Sequence, residues 1–313
     1  MPLNPLSLSA FSLLLAMPIV IGQDGAQQAN QVDVITTQDD RNDRLTVPVK
    51  IGARGPFQFL IDTGAENTVL SSGVVSTLAL PVSGRVKLTG VAGSEMVDTV
   101  EVDQIDLGKR SYYGILAPVL ERGDIGADGI IGLDSLQGQR VQIDFRKGVM
   151  AVADARTLGG NRGYEIVVTA RRRSGQLIMT QAQVDGVRVD VVIDTGSDTS
   201  IGNRALQRAL TRRGTNGQAE LQSVTGQSIV ADLGYARALR IGEVTFANVR
   251  IAYADSPHFE KLQLLERPAL FLGMRDLRQL DRVAIDFSTR KIYFDLPESA
   301  FDWHDNNLGS RLD

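Results

Sequence analysis

Short apolar runs separated by glycine-bearing turns make up most of this chain. Leu45–Ile51 and residues 57–61 flank a turn that contains glycine and proline, and Gln176–Val184 and Val187–Ile193 flank an Asp-Gly pair. Apolar runs of this length between such turns are typical of β-strands. An Asp-Gly pair indicates a hairpin because both central positions of its turn need positive φ. The pattern therefore predicts a mostly β fold.

Two segments differ from this pattern. Asn203 precedes residues 204–210, whose apolar positions recur at helical spacing, so we predict an N-cap and a short amphipathic helix there. Arg171–Arg173 is a run of charge between two predicted strands. We interpret it as the solvated tip of a hairpin, with attraction to an anionic membrane or an acidic partner as the alternative.

The chain also repeats itself. Asp-Thr-Gly occurs at residues 62–64 and again 132 residues later, each time directly after an apolar run. An apolar-apolar-Gly element follows in each half, at residues 130–132 and 271–273, with a larger offset of 141. The second unit therefore carries an insertion, which we place at residues 255–268. A repeat of this length predicts one lobe written twice.

The first residues form a separate problem. Residues 6–22 are an apolar stretch without a charged side chain, and polar residues follow. This pattern predicts a secretory signal peptide, although no basic residue precedes the stretch. A short uncleaved membrane anchor is the alternative, with a buried core helix as the third interpretation. The first two place the mature protein outside a bacterial cytoplasm, in the periplasm or anchored in the inner membrane and facing the periplasm.

The repeat and the composition together divide the chain. A length of 313 residues already favours two domains. A linker at residues 154–163 separates the two lobes. In chain order we predict a signal peptide or membrane anchor at 1–24, a flexible leader at 25–43, an N-terminal lobe at 44–155, a C-terminal lobe at 162–298 and a polar tail at 299–313.

Composition excludes several chemistries. The chain has no cysteine, which removes disulfides, thiol nucleophiles and cysteine-ligated metals. Its two histidines, His258 and His304, lie in the inserted loop and the tail, where neither suits a Ser-His-Asp triad. A net charge of −4 gives no reason to expect nucleic acid. We expect no cofactor and no metal.

The two motifs together resemble those of a known family. Residues 62–71 read Asp-Thr-Gly-Ala-Glu-Asn-Thr-Val-Leu-Ser, and the second Asp-Thr-Gly begins a similar stretch at 194–200. With the apolar-apolar-Gly elements, the chain resembles retropepsin-like aspartic proteases of the bacterial type over about residues 44–297. Leu133 and Met274 follow those elements, where viral members commonly carry arginine. The resemblance implies two homologous acid-protease barrel lobes with a cleft between them.

The residue types fit that chemistry. Two carboxylates within hydrogen-bonding reach cannot both ionise easily, so they share a proton and can activate one water between them. We therefore predict Asp62 and Asp194 as the catalytic dyad. The resemblance implies that the threonine hydroxyls bond across the lobe interface, and glycine allows close backbone approach. The predicted supporting residues are Thr63, Gly64, Thr195 and Gly196.

Two glycine-bearing turns are candidates for flaps that cover a substrate and exclude water. They lie at residues 90–96 and 223–229, at equivalent places in the two units. Neither contains the flap tyrosine of pepsin-like enzymes. The flap candidates are Val91, Ala92, Gly93, Val224, Thr225 and Gly226.

The sequence thus predicts an aspartic endopeptidase that cuts extended polypeptides and works as a monomer with internal pseudo-twofold symmetry. The alternative is a non-catalytic peptide-binding or scaffold protein of the same fold. A single Asp-Thr-Gly could also be a turn in which aspartate caps the backbone. Both aspartates and both Thr-Gly pairs are intact, which favours the enzyme. The apolar N-terminal segment leaves membrane association open.

Overall fold

The structure is a computed structural model that describes residues 32–40, 43–154, 157–158, 164–210 and 217–297. The predicted signal peptide or anchor and the polar tail lie outside the described residues, as do parts of the leader and linker. Within the described ranges, no helix has the length and apolar character needed to cross a bilayer.

The described chain is mostly β, as predicted. In the first half the elements are β1 (Asp33–Thr36), β2 (Gln38–Asp39), β3 (Leu45–Ile51), β4 (Arg54–Ile61), β5 (Val69–Ser71), α1 (Ser72–Leu78), β6 (Val82–Thr89), β7 (Ser94–Leu107), β8 (Arg110–Leu120), α2 (Arg122–Ile125), β9 (Gly129–Ile131), α3 (Leu133–Leu136), β10 (Arg140–Asp144) and β11 (Val149–Ala153). In the second half they are β12 (Ile166–Thr169), β13 (Arg171–Arg173), β14 (Gln176–Val184), β15 (Val187–Ile193), β16 (Ser200–Gly202), α4 (Arg204–Ala209), β17 (Gln218–Gln222), β18 (Ser228–Ile241), β19 (Val244–Tyr253), α5 (Pro257–Lys261), β20 (Ala269–Leu272), α6 (Met274–Leu277), β21 (Arg282–Asp286) and β22 (Lys291–Asp295).

The sequence repeat is a structural repeat. The first lobe's sheet has the strand order β2-β3-β4-β9-β5-β8-β7-β6, and the second has β13-β14-β15-β20-β16-β19-β18-β17. Each sheet curls back on itself, because β3 also pairs with β7 and β14 with β18. The two lobes therefore share one topology, strand for strand.

A third sheet joins the lobes. Its order is β1-β11-β10-β21-β22-β12, and the antiparallel pair β10–β21 lies at its centre. Apolar side chains of both lobes form one continuous buried cluster that includes Val141 and Val283 of these two strands. The lobes are thus held together by backbone hydrogen bonds and a common core.

Local sequence signals explain several elements. Asp185 and Gly186 adopt φ of 47° and 87°, as the predicted hairpin turn requires. Asn203 caps α4, since its side chain accepts a hydrogen bond of 2.9 Å from the Leu206 amide. Two predictions were wrong. Arg171–Arg173 is edge strand β13, and the turn is formed by the two residues that follow it.

The second correction concerns the predicted flexible leader at 25–43. Residues 33–36 within it form β1, which pairs with β11 over four residues. Ile35 is buried while Val34 is exposed, so the strand is anchored by one apolar side chain facing the core. A short polar segment with a single buried residue carries too weak an alternation to be read as a strand.

A buried ion pair crosses the junction between the lobes. The guanidinium of Arg140 on β10 donates to the Asp286 carboxylate on β21 at 2.9 Å, and both side chains are almost completely buried. The same guanidinium donates to the Tyr293 hydroxyl at 2.8 Å. The pair lies at the end of the β10–β21 register, where Arg140 faces Asp286 directly.

Arg140→Met should lower the free energy of unfolding by about 3–5 kcal/mol, because it leaves the Asp286 charge buried without its partner. Denaturant titration measures this. Arg85→Ala, at an exposed ion pair with Asp98, is the control and should cost less than about 1 kcal/mol. Equal effects of the two variants would contradict the prediction.

Candidate active site

Each aspartate of the repeated motif lies at the end of a strand in a parallel pair. β4 pairs with β9 and β15 with β20. The Asp62 amide donates to the Ile131 carbonyl at 3.1 Å, and the Asp194 amide donates to the Leu272 carbonyl at 3.0 Å. The apolar-apolar-Gly strands are therefore the neighbours that set where each aspartate leaves its sheet.

The glycine of each apolar-apolar-Gly element has a steric reason. A Cβ at Gly132 would lie 2.4 Å from the Asn67 carbonyl oxygen, and one at Gly273 would lie 2.7 Å from that of Asp198. Both carbonyls belong to the loops that follow the aspartates. Any larger residue would push these loops away, so glycine keeps each aspartate loop packed against its neighbouring strand.

The threonines bond across the lobes. The Thr63 hydroxyl donates to the Ile193 carbonyl at 2.8 Å, and the Thr195 hydroxyl donates to the Ile61 carbonyl at 2.7 Å. Each hydroxyl also accepts the other threonine's amide, at 3.1 and 3.3 Å. Both side chains are buried. The network is reciprocal and fixes the two aspartate loops relative to each other.

This network brings the carboxylates of Asp62 and Asp194 together. A Cβ at Gly64 would lie 2.8 Å from Asp194 Oδ1, and one at Gly196 would lie 2.2 Å from Asp62 Oδ2. Each glycine thus lies against the carboxylate of the other lobe. Glycine is required at both positions because a side chain would occupy the space that the opposite carboxylate fills.

The two carboxylates have different surroundings. Asp62 Oδ1 accepts the amides of Gly64 at 2.7 Å and Ala65 at 2.9 Å, whereas Asp194 Oδ1 accepts the Gly196 amide at 3.0 Å. Burial raises the pKa of Asp62, while these amides and the positive charges of His258 and Arg44 oppose the rise. Burial and the negative charge of Asp62 raise the pKa of Asp194 to about 8. This difference favours a proton on Asp194 and a negative charge on Asp62.

Two further residues belong to the site, and the motif search missed them. Arg44 is buried and donates to the Ile125 carbonyl at 2.6 Å and to the Gly196 carbonyl at 3.4 Å. Gln176 is also buried and donates to the Gly64 carbonyl at 2.6 Å. Each residue thus reaches from its own lobe to the glycine of the other. They are 132 residues apart, as the aspartates are, but their different types hid the equivalence.

The aspartates open into a cleft of about 630 Å³ between the lobes. Both predicted flaps are hairpin turns over this cleft. We call β6, β7 and the turn at 90–93 the first hairpin, and β17, β18 and the turn at 223–227 the second hairpin. The two turns meet, since a Cβ at Gly90 would lie 2.1 Å from Ser223 Oγ and one at Gly93 would lie 2.0 Å from Gln227 Oε1.

The turn valines cross over to the opposite lobe. Val91 of the first hairpin packs against a second-lobe cluster that includes Phe259 and Phe271, and Val224 of the second packs against a first-lobe cluster that includes Ile130. Both valines line the cleft. The other flap candidates lie in the same turns, where Gly93 borders Gln227, Gly226 borders Asp124, Thr225 is buried, and Ala92 adjoins Gly93.

The described residues contain no group of histidine, cysteine or acidic side chains arranged to hold a metal ion. The chemistry available at the cleft floor is therefore that of the two carboxyl groups, the backbone amides around them, and a water that they can hold.

Comparison with known proteins agrees with this arrangement. A family model described as aspartyl protease matches the chain twice, over residues 47–135 and 180–275. The two ranges cover more than half of the chain, and each contains one Asp-Thr-Gly and one apolar-apolar-Gly element. No curated protein matches the chain. The predicted resemblance, with two lobes fused in one polypeptide, is confirmed.

The raised pKa of Asp194 has a consequence for stability. A carboxyl group with a raised pKa in the folded state binds its proton more tightly there than in the unfolded chain. The free energy of unfolding should therefore fall as pH rises from about 4, the ordinary value, to about 8. Asp194→Asn removes this titration, so the variant should gain at least about 1 kcal/mol over the wild type across that window.

Urea titrations at several pH values between these limits measure the difference, which should be smallest at the acidic end. Asp98→Asn, at a surface carboxylate, is the control and should leave the wild-type pH dependence in place. A gap between Asp194→Asn and wild type that stays constant with pH would contradict the prediction.

Proposed function

The chain belongs to the aspartyl protease family, whose model matches both of its lobes, and we propose on this premise that it is an aspartic endopeptidase that hydrolyses peptide bonds of extended polypeptides. The observation that carries the proposal is the pair of carboxylates, each lying against the other lobe's glycine at the floor of a single cleft. Two carboxyl groups held this way can share one proton and one water.

The different surroundings assign the roles. Asp62 accepts two backbone amides and is the negatively charged base, which takes a proton from the water as its oxygen attacks the peptide carbonyl carbon. Asp194 carries the shared proton and donates a hydrogen bond to the carbonyl oxygen, where negative charge develops. Collapse of the tetrahedral intermediate returns a proton to the leaving amine. The two carboxyl groups supply every proton transfer in this sequence.

The rest of the cleft suits a polypeptide. Its volume of about 630 Å³ falls within the range of ligand sites in proteins. Apolar side chains from both lobes and the two turn valines line it, while the hairpins cover the dyad and limit access of bulk water. An extended strand can pass between the aspartates and the hairpins.

Asp62→Asn and Asp194→Asn should each abolish cleavage, because one carboxylate cannot act as both base and acid. Loss of at least about a thousandfold in kcat is expected for either variant, and the double variant should be no worse, since residues that act as a unit are not additive. Mass spectrometry of cut sites in a mixed peptide pool measures turnover. The pH–rate profile of the wild type should be bell-shaped, with both limbs belonging to the pair.

Circular dichroism and urea titration of the Asn variants serve as the folding control. A correctly folded single variant with near-wild-type turnover would end the proposed mechanism. Peptides that bind the wild type but are never cut would instead favour the alternative, a non-catalytic peptide-binding or scaffold protein.

We also propose that the active species is a monomer, because one chain supplies both aspartates and both threonines of the cross-lobe network. Sedimentation of the active protein should therefore give a mass no greater than that of one 33.9 kDa chain. The specific activity should stay constant on dilution. Activity that falls in step with dissociation of a dimer would contradict this.

Export remains a proposal based on the apolar run at residues 6–22. A fusion of residues 1–40 to a reporter that is active only outside the cytoplasm should give signal. The same fusion with two lysines introduced into the apolar run is the control and should be silent. A silent unaltered fusion, with the full-length protein soluble in the cytoplasm, would refute the proposal.

A further inference from the structure

The insertion that distinguishes the second lobe builds one wall of the cleft. It contains α5, whose first turn is capped by the buried Ser256 and whose Phe259 is fully buried. The Phe259 ring packs on Phe271 with the centroids 4.8 Å apart. Because Phe271 belongs to the strand beside Asp194, the short helix is fixed rigidly to the floor of the second lobe.

The helix presents His258 to the first lobe. Its imidazole contacts the edge of Phe271 at 6.0 Å between ring centroids, lines the cleft, and places Nε2 3.1 Å from the carbonyl oxygen of Thr89. A carbonyl can only accept, so Nε2 carries the proton and donates it. Thr89 is the last residue of β6 and directly precedes the turn of the first hairpin.

Two more contacts from the insertion reach the first lobe. Val91 at the turn of the first hairpin packs against the cluster that contains Phe259 and Leu262. The Lys261 ammonium lies 2.6 Å from the Glu66 carboxylate, in the loop that follows Asp62. That pair is substantially exposed and contributes little stability by itself. The hydrogen bond from His258 is therefore the directional contact that ties the first hairpin to the second lobe.

The equivalent place in the first lobe is built differently. There α2 presents Asp124 to the second hairpin, and a Cβ at Gly226 would lie 3.0 Å from Asp124 Oδ2. Within the described residues, the Asp124 carboxylate makes no hydrogen bond to that hairpin. The second hairpin is held over the first lobe by the packing of Val224 and by its contact with the first hairpin.

We propose that His258 is a positioning residue that holds the first hairpin closed over the dyad, so that the second hairpin is the one that opens to admit substrate. As a monomeric chain with two similar hairpins, the protein could open either one. The insertion, present in one lobe alone, makes the two hairpins unequal. This inference rests on the proposed function for its role in the reaction, while the inequality of the hairpins can be tested without substrate.

Amide hydrogen exchange of the full chain tests the inequality directly. In the wild type, amides of the second turn, residues 223–227, should exchange faster than those of the first turn, residues 90–93. His258→Phe keeps a ring against Phe271 but removes the donor to Thr89. It should speed exchange at the first turn about fivefold, the factor that corresponds to a typical net hydrogen bond. His258→Gln keeps a donor and should restore most of the protection.

Asp124→Asn is the matched control, because it alters the equivalent wall of the other lobe without touching the first hairpin. It should leave exchange at residues 90–93 unchanged. Faster exchange of the first turn than of the second in the wild type would overturn the proposal, and so would unchanged exchange of the first turn in a folded His258→Phe. Acceleration spread over the core strands would show general destabilisation and would also overturn it. If His258→Phe does not fold, the wild-type comparison and His258→Gln still decide.

Kinetics with a peptide that the wild type cleaves provide the second readout. His258→Phe should raise KM about fivefold with kcat within about twofold, because the hairpin closes on substrate before the chemical step, and His258→Gln should recover KM. A drop confined to kcat would overturn the positioning role. If the wild type cleaves no peptide, the proposed function fails, whereas hydrogen exchange still decides whether His258 holds the first hairpin.

Discussion

Two threonine hydroxyls at the centre of the molecule hold the site together. Thr63 and Thr195 are buried, and each donates to a carbonyl of the other lobe while accepting the other threonine's amide. Without a hydroxyl, a buried carbonyl would lose its partner, at a cost of about 1–3 kcal/mol. Since each threonine directly follows an aspartate, the bonds that satisfy these carbonyls also fix the distance between the carboxylates.

That fixed distance determines the protonation of the site. Two carboxyl groups in one partly buried cleft cannot both be charged, and the backbone decides which one keeps the proton. Asp62 has two amides and nearby cations to stabilise its charge, whereas Asp194 has one amide and faces the charge of Asp62. The division of labour between base and acid therefore follows from small differences between otherwise equivalent loops.

The same theme extends across the cleft. The lobes share one strand order, but equivalent positions have diverged. Arg44 in one lobe corresponds to Gln176 in the other, and both reach the opposite glycine carbonyl. The Oε1 atom of Gln176 has no partner among the described residues, whereas the donor-only guanidinium of Arg44 is paired with Asp40. The cleft is thus symmetric in its backbone and unequal in its polar groups, as a binding site for a directional polymer requires.

The sequence by itself determined the strand-rich class, the duplicated lobe and the two Asp-Thr-Gly loops. These signals are local: apolar runs end at turn residues, and a repeat preserves its own spacing. The apolar-apolar-Gly elements were also readable as a pattern, although the reason for their glycines, the close approach of the carbonyls of Asn67 and Asp198, needed the folded loops.

Only the tertiary structure decided the partners of Arg44, Gln176 and His258. Each makes its decisive contact far along the chain, 152 residues away for Arg44, 112 for Gln176 and 169 for His258. Strand β1 likewise depends on pairing with β11, because its own alternation buries a single side chain. Such contacts exist only after both lobes have curled and joined, and the pattern of residues near each position carries no trace of the surface that it will meet.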